Sequence, residues 1–297
     1  MTSTLSIGMV QMTCSDSPEH NLQRALHMTS EAAAQGAKIV CLPELFRSLY
    51  FCQEENVANF DLAEPVPGPT TEAFCDLAKS LDIVIVTSLF EERTKGLYHN
   101  TVAVIDGSEG VIGKYRKMHI PDDPKYYEKF YFTPGDLGFK AFETRFGNIG
   151  TLICWDQWFP EAARLTALQG ADIIFYPTAI GWHPEEQASH GKQQHEAWEI
   201  SMRAHAVANG CFVVAVNRTG FEKTPGTVDD GIRFWGQSFV AGPDGSVLFR
   251  ASTKREEVQV VSIDLAQIGE LRKGWPFLRD RRIDAYQPIT KRFLGRA

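Results

Sequence analysis

Apolar and polar positions alternate over residues 5–12, which predicts a half-buried strand, because strand side chains point to opposite faces in turn. Ser17 before Pro18 reads as an N-cap and first helical residue; Leu22, Leu26, Thr29 and Ala33 keep helical spacing until Gly36. Residues 38–42 are a short β-rich run that stops at Pro43-Glu44. Pro69 opens a second helix with Phe74, Leu77, Ala78 and Leu81 on one stripe, and residues 83–90 follow as an apolar strand. Residues 101–105 and 111–115 flank Asp106-Gly107-Ser108-Glu109-Gly110 as a hairpin, and a second hairpin joins 140–145 to 149–153, ending at Cys154-Trp155-Asp156. Pro160-Glu161 starts a helix that Gly170 closes; a strand (173–176), a long helix (190–209) and a strand (211–216) come next. Strands at 237–241, 247–250 and 258–263, then a helix at 266–272, lead into an irregular stretch.

Strand and helix patterns intermix from end to end, with no Ser/Gly/Pro linker between them. The expectation is a single α/β domain over residues 1–297, built in layers, with residues 274–297 as an extended C-terminal tail. The hairpins exclude a purely parallel sheet. Neither a G-x-G-x-x-G turn nor a phosphate loop follows any strand, and no internal repeat is visible.

Composition narrows the partners. With 43% apolar and 23% charged residues the chain is ordinary globular protein, which excludes disorder. Lys and Arg total 30 against 37 Asp and Glu, so a net charge of -7 argues against a broad nucleic-acid face. The tail does concentrate Lys273, Arg279, Arg281, Arg282, Lys291, Arg292 and Arg296. Asp280 and Asp284 interrupt them, and Trp275, Phe277, Leu278 and Tyr286 supply apolar anchors, a pattern that suits a packed subunit interface better than RNA. No run is long and apolar enough to span a membrane, and the first ten residues lack a secretory pattern. The expectation is a cytoplasmic protein without membrane or nucleic-acid partners. The sequon Asn217-Arg218-Thr219 then carries no glycan. Six cysteines without C-x-x-C pairing indicate reduced thiols.

Three reactive side chains each sit just after a strand. Cys154 stands between a strand end and a Pro-led helix, where a thiol can be activated as a nucleophile, whereas Cys41, Cys75 and Cys211 lie inside apolar runs and read as packing. Glu44 follows Pro43 and can act as a base; Lys117 follows the first hairpin. Taken together, a thiol, a carboxylate and an ammonium suggest acyl transfer from an amide-type bond. A Cys–His hydrolase with His119 as base is a rival, but the sequence around Cys154 lacks the C-G-S-C-W context of such enzymes. His195-Glu196-Ala197-Trp198-Glu199 misses the zinc motif H-E-x-x-H at its last position, so no metal or other cofactor is expected.

Leu42-Pro43-Glu44, Lys114-Tyr115-Arg116-Lys117-Met118-His119 and Ile149-Gly150-Thr151-Leu152-Ile153-Cys154-Trp155-Asp156 resemble, in order and spacing, the three signature segments of the nitrilase (carbon–nitrogen hydrolase) superfamily. The resemblance covers nearly the whole chain. It implies a four-layer αββα sandwich, a catalytic triad of Glu44, Lys117 and Cys154, a second glutamate at Glu128, and an oxyanion site shared with the Trp155 backbone N–H. It also implies a homo-oligomer built from dimers. Residues 45–52, 127–132 and 154–161 further resemble the branch that hydrolyses N-carbamoylputrescine, a carbamoyl amine, through a cysteine thioester in polyamine biosynthesis. The chain departs from that branch at Asp123-Pro124-Lys125-Tyr126 and Trp182-His183-Pro184.

A cationic substrate tail needs acids and aromatic walls. Asp122, Asp123, Glu185 and Glu186 are the candidate acids by loop position; Tyr50, Trp158 and Trp182 are the candidate walls. N-carbamoyl-β-alanine or an N-carbamoyl amino acid would instead need an arginine, for which Arg47 is the obvious candidate. A non-catalytic binding protein on the same fold is the remote alternative.

Overall fold

The computed structural model describes residues 4–295; the first three residues and Arg296 of the tail lie outside them. The first half runs β1 (Thr4–Gln11), α1 (Pro18–Ala34), β2 (Ile39–Cys41), α2 (Pro69–Leu81), β3 (Val84–Thr94), β4 (Leu97–Asp106) and β5 (Gly110–Arg116). A short helix α3 (Glu128–Tyr131) leads to β6 (Ala141–Thr144), β7 (Gly147–Thr151), α4 (Pro160–Leu168) and β8 (Ile173–Thr178). Then come β9 (Gly181–Trp182), α5 (Pro184–Gln187), α6 (Gly191–Asn209), β10 (Phe212–Asn217), β11 (Thr219–Lys223), β12 (Gly231–Trp235), β13 (Phe239–Ala241), β14 (Val247–Arg250), β15 (Glu257–Asp264) and α7 (Ala266–Gly274). The Ser17 hydroxyl accepts the His20 N–H and caps α1, with Pro18 at its first turn.

Two six-stranded sheets form the body, in the orders β15-β1-β2-β3-β4-β5 and β14-β13-β10-β8-β7-β6. Both are mixed. In the first, β1, β2 and β3 are parallel while β15, β4 and β5 join antiparallel. In the second, β7, β8 and β10 are parallel while β6, β13 and β14 join antiparallel. The two sheets therefore share one pairing pattern, although no repeat shows in the residues.

Strand alternation assigns the layers. Ile7, Met9, Ile39, Cys41, Val84, Val86, Val102 and Val104 face the second sheet; Val40, Ile85, Ala103 and Ile105 face Leu22, Ala25, Phe74 and Ala78 of α1 and α2. On the far side α4 and α6 pack Ala162, Ala163, Trp198 and Met202 against the second sheet. The result is an αββα sandwich. Strands covered on both faces read as continuous apolar runs, which is why 83–90 lacks a clean alternation.

A third sheet of β11, β12 and β9 and an aromatic cluster of Tyr50, Phe51, Phe90, Tyr131 and Phe132 gather over the end of the sandwich where β2, β7, β8 and β10 finish. The candidate residues lie beneath this cap.

Candidate active site

Glu44 and Cys154 come from different sheets. Glu44 follows β2, and its N–H reaches across to the Thr178 carbonyl at the end of β8, at 3.3 Å. Cys154 opens a single helical turn after β7, with a φ of +38°, a conformation L-residues avoid. Its Sγ lies 3.8 Å from the Ala179 carbonyl. Trp155 is second in that turn, whose first ladder bond is Asp156 N–H to Ile153 O, so its own N–H belongs to the terminus that such turns leave free of the ladder.

Lys117 links the carboxylates. Its Nζ donates to Glu44 Oε1 at 2.8 Å and to Glu128 Oε2 at 2.6 Å, and all three groups are buried. Asn100 Nδ2 donates to the same Glu44 oxygen at 2.7 Å, and the Tyr50 hydroxyl to Glu128 Oε1 at 2.6 Å. Among the described residues Glu44 Oε2 has no hydrogen-bond partner, although it is buried. One carboxylate oxygen is thus fixed and the other is free to take a proton.

The electrostatics follow from burying these charges together. Burial alone would drive the Lys117 ammonium towards neutrality. Glu128 and Glu44 more than offset it and hold Lys117 well above the usual lysine range. Burial pushes the Glu128 carboxyl up to about 7, with Lys117 opposing and Glu44 adding to the rise. Burial, then the Glu44 charge, pushes the Cys154 thiol well above its ordinary value against the pull of Lys117. The resting thiol is therefore protonated, and a nucleophile made from it has to lose its proton as it attacks. The unpartnered oxygen of Glu44 suits that task.

A cavity of about 430 Å³ opens onto Cys154. Glu128, Trp155, Ala179, Ile180 and Gly181 line its inner part; Asp123, Tyr126, Trp158, His183, Glu186, Gln194 and Trp235 line the rest. Of the acids expected from the sequence, Asp123 and Glu186 reach this wall. Asp122 does not: it is exposed and pairs loosely with Lys129 at 3.8 Å. Glu185, exposed on α5 next to Glu186, is also off it. Trp158 lines the cavity, but Trp182 does not. Gly181 takes the cavity side of β9, so alternation turns Trp182 the other way, where its indole N–H donates to the Gly191 carbonyl at 2.8 Å and its ring packs 5.1 Å from Trp235. Tyr50 is a buried brace for Glu128 rather than a wall.

The sequence reading missed Tyr126, His183 and Trp235. The first two lie in the segments that depart from the branch pattern, which was the available signal; Trp235 had none. Arg47 lies outside the cavity, donating to Glu64 at 2.7 Å. His119 is off it too: it faces Asp156 Oδ1 at 2.7 Å and stacks on Phe159, so the Cys–His arrangement is not formed. Trp198 of the near-miss zinc motif is buried and donates to Gln157, and among the described residues no group of three His, Cys, Asp or Glu could hold a metal. Asn217 is fully buried, its side chain bonded to Ile180 and Gly236, which closes the sequon to any glycan in the folded protein.

The family model described as carbon-nitrogen hydrolase matches residues 6–273. An N-carbamoylputrescine amidase from Oryza sativa subsp. japonica is 46% identical, the match covering 97% of this chain and 95% of that protein. A citrullinase from Francisella tularensis subsp. tularensis is 37% identical, with 97% and 99% covered. The crystal structure of a carbon-nitrogen hydrolase from Helicobacter pylori G27 matches with a TM-score of 0.94 at 45% identity, covering 98% of this chain and 100% of that one.

Proposed function

This chain belongs to the carbon–nitrogen hydrolase family, and we propose that within it the protein hydrolyses N-carbamoylputrescine to putrescine, carbon dioxide and ammonia, in polyamine biosynthesis. The observation that carries the substrate reading is the charge of the cavity wall. Beyond Glu128 it holds Asp123 and Glu186, and no Lys or Arg lines it among the described residues. A terminal ammonium is matched there; the carboxylate of N-carbamoyl-β-alanine or of an N-carbamoyl amino acid is not, since Arg47 is committed to Glu64 elsewhere. Trp158, Tyr126 and Trp235 supply apolar and aromatic surface for the methylene stem.

In this reading Cys154 Sγ attacks the urea carbonyl carbon while Glu44 Oε2 takes the thiol proton. The carbonyl oxygen becomes an oxyanion held by the Lys117 ammonium and the Trp155 N–H; one such donor is worth about 100- to 1,000-fold in rate. Glu44 returns the proton to the departing nitrogen, and ammonia leaves an N-alkylcarbamoyl thioester on Cys154. Water, deprotonated by Glu44, attacks that carbonyl and expels the thiolate, which regains its proton. The alkyl carbamate leaves and falls apart into carbon dioxide and putrescine. Glu128 keeps Lys117 charged and aimed. No step calls for a metal or cofactor, so a chelator should leave the rate unchanged. Four ionisable groups buried together are costly to a fold, which favours this reading over a binding protein.

We place the enzyme in a reducing compartment such as the cytoplasm, because the reaction needs a free Cys154 thiol. We also propose that it forms a homo-oligomer built from dimers, since the tail leaves Trp275, Ile283, Ile289, Phe293 and Leu294 exposed.

A panel of N-carbamoyl compounds compared by kcat/KM tests the substrate. N-carbamoylputrescine should exceed N-carbamoyl-β-alanine by at least about 100-fold, a difference a desolvated charge mismatch readily supplies. The reverse preference would overturn the assignment. Ammonia release by Cys154→Ala would overturn the thiol mechanism.

A further inference from the structure

Arg218 and Glu222 form a fully buried ion pair, 2.8 Å apart, that touches neither the cavity nor the groups of the proposed reaction. Their remaining bonds converge on one segment. Arg218 Nη2 donates to the Glu44 carbonyl at 2.7 Å and to the Leu45 carbonyl at 2.9 Å; Nη1 reaches the Ser48 carbonyl at 3.2 Å. Glu222 Oε2 accepts the Tyr50 N–H at 2.6 Å. The guanidinium also lies over the Tyr50 and Phe234 rings, at 5.9 and 5.2 Å.

The gripped segment, 44–50, governs both carboxylates that touch Lys117. Glu44 is its first residue. Glu128 is held through the hydroxyl of Tyr50, its last. Between them Leu45 has a φ of +48°, a conformation a leucine leaves unless its neighbours restrain it. A planar cation with parallel donors fits two successive carbonyls as a single ammonium cannot. The preceding residue does the corresponding work on the other side of the site: Asn217 accepts the Ile180 N–H and donates to the Ile180 and Gly236 carbonyls, all at 3.0 Å, and so fixes the wall beside Ala179 and Cys154.

We propose that the Arg218–Glu222 pair is a positioning device for the reaction, setting where the Glu44 carboxylate stands relative to Cys154 and, through Tyr50, where Glu128 stands relative to Lys117. This rests on the reading of Glu44 as the base.

The pair can be removed without leaving a lone buried charge, which separates positioning from stability. In Arg218→Met, Glu222 is left unpaired, and the variant should melt lower and lose 100-fold or more in kcat. Adding Glu222→Met should restore most of the lost melting temperature, because an apolar pair of similar volume can replace a buried ion pair. It should not restore kcat, and KM should stay within about threefold, because the cavity wall is untouched. Arg218→Lys, which keeps the charge but not the fork, should fold normally and lose about tenfold in kcat. Recovery of kcat along with stability in the double variant, or full activity in Arg218→Lys, would overturn the proposal. Failure of both of these variants to fold would make the pair a determinant of folding and overturn it as well. Glu44→Gln, assayed beside them, reports on the base separately: its inactivity with a fully active Arg218→Lys removes only the positioning role, and full activity in Glu44→Gln removes the base itself.

Discussion

At the scale of single residues, the cysteine at 154 occupies a backbone conformation that its own Cβ disfavours. Glycine ordinarily destabilises a fold relative to alanine by roughly 0.5–1 kcal/mol, while a left-handed L-residue costs roughly 1–2 kcal/mol. At this position the usual order should reverse. Cys154→Gly is expected to be more stable than Cys154→Ala by about 0.5–1 kcal/mol in chemical denaturation, with both inactive. Glu128 gives a pH signature. With its carboxyl pushed up to about 7, the folded protein keeps a proton that the unfolded chain releases from about pH 4.5 upward. That contribution to stability is complete below the unfolded value, shrinks as pH rises through the window, and is gone above the folded value. Glu128→Gln should remove it, so the denaturation midpoint of the variant should fall less than the parent's between about pH 5 and 7. Glu44, Lys117, Cys154 and Glu128 were legible in the sequence because they sit in short segments that resemble a family. Trp235 was not, because which of two tryptophans walls a cavity depends on the facing of the two-residue strand β9.

Among elements, Asp156 is the joint between the two reactive strand ends. Its Oδ1 accepts the His119 N–H at 3.0 Å, while Oδ2 accepts the Tyr115 hydroxyl at 2.8 Å and the Ile153 N–H at 3.0 Å. One buried carboxylate thus ties the chain on either side of Lys117 to the chain just before Cys154. Asp156→Ala should lower stability by about 2–4 kcal/mol and lower kcat as well, measured by denaturation and ammonia release. Capped helices and tight hairpins were readable because local chemistry sets them. The third sheet was not: β11 and β12 pair Thr219 with Trp235 and Lys223 with Gly231, and that register is imposed by what lies beneath rather than by any alternation of their own.

For the whole molecule, alternating strand and helix patterns were enough to predict layers, and the family resemblance supplied their number. The shared pairing pattern of the two sheets stayed hidden, because it resides in which strands are neighbours and not in which residues they carry. The tail is the part of the surface that a lone subunit explains least, with Phe293 77% and Ile289 65% exposed. Deleting residues 275–297 should therefore reduce the mass measured by light scattering; an unchanged mass would assign the contacts between subunits to another face.

The division of the reactive groups between sheets has a mechanical consequence. Glu44 and Lys117 ride on one slab and Cys154 on the other, with a layer of Ile, Val and Phe side chains as the spacer between them. The gap across which the proton must jump is then a thickness, calibrated by methyl groups well away from it. A methylene trimmed from that spacer, at Val86 or Phe175 for instance, lets the slabs settle or slide, and turnover feels the change before any reactive side chain has been altered.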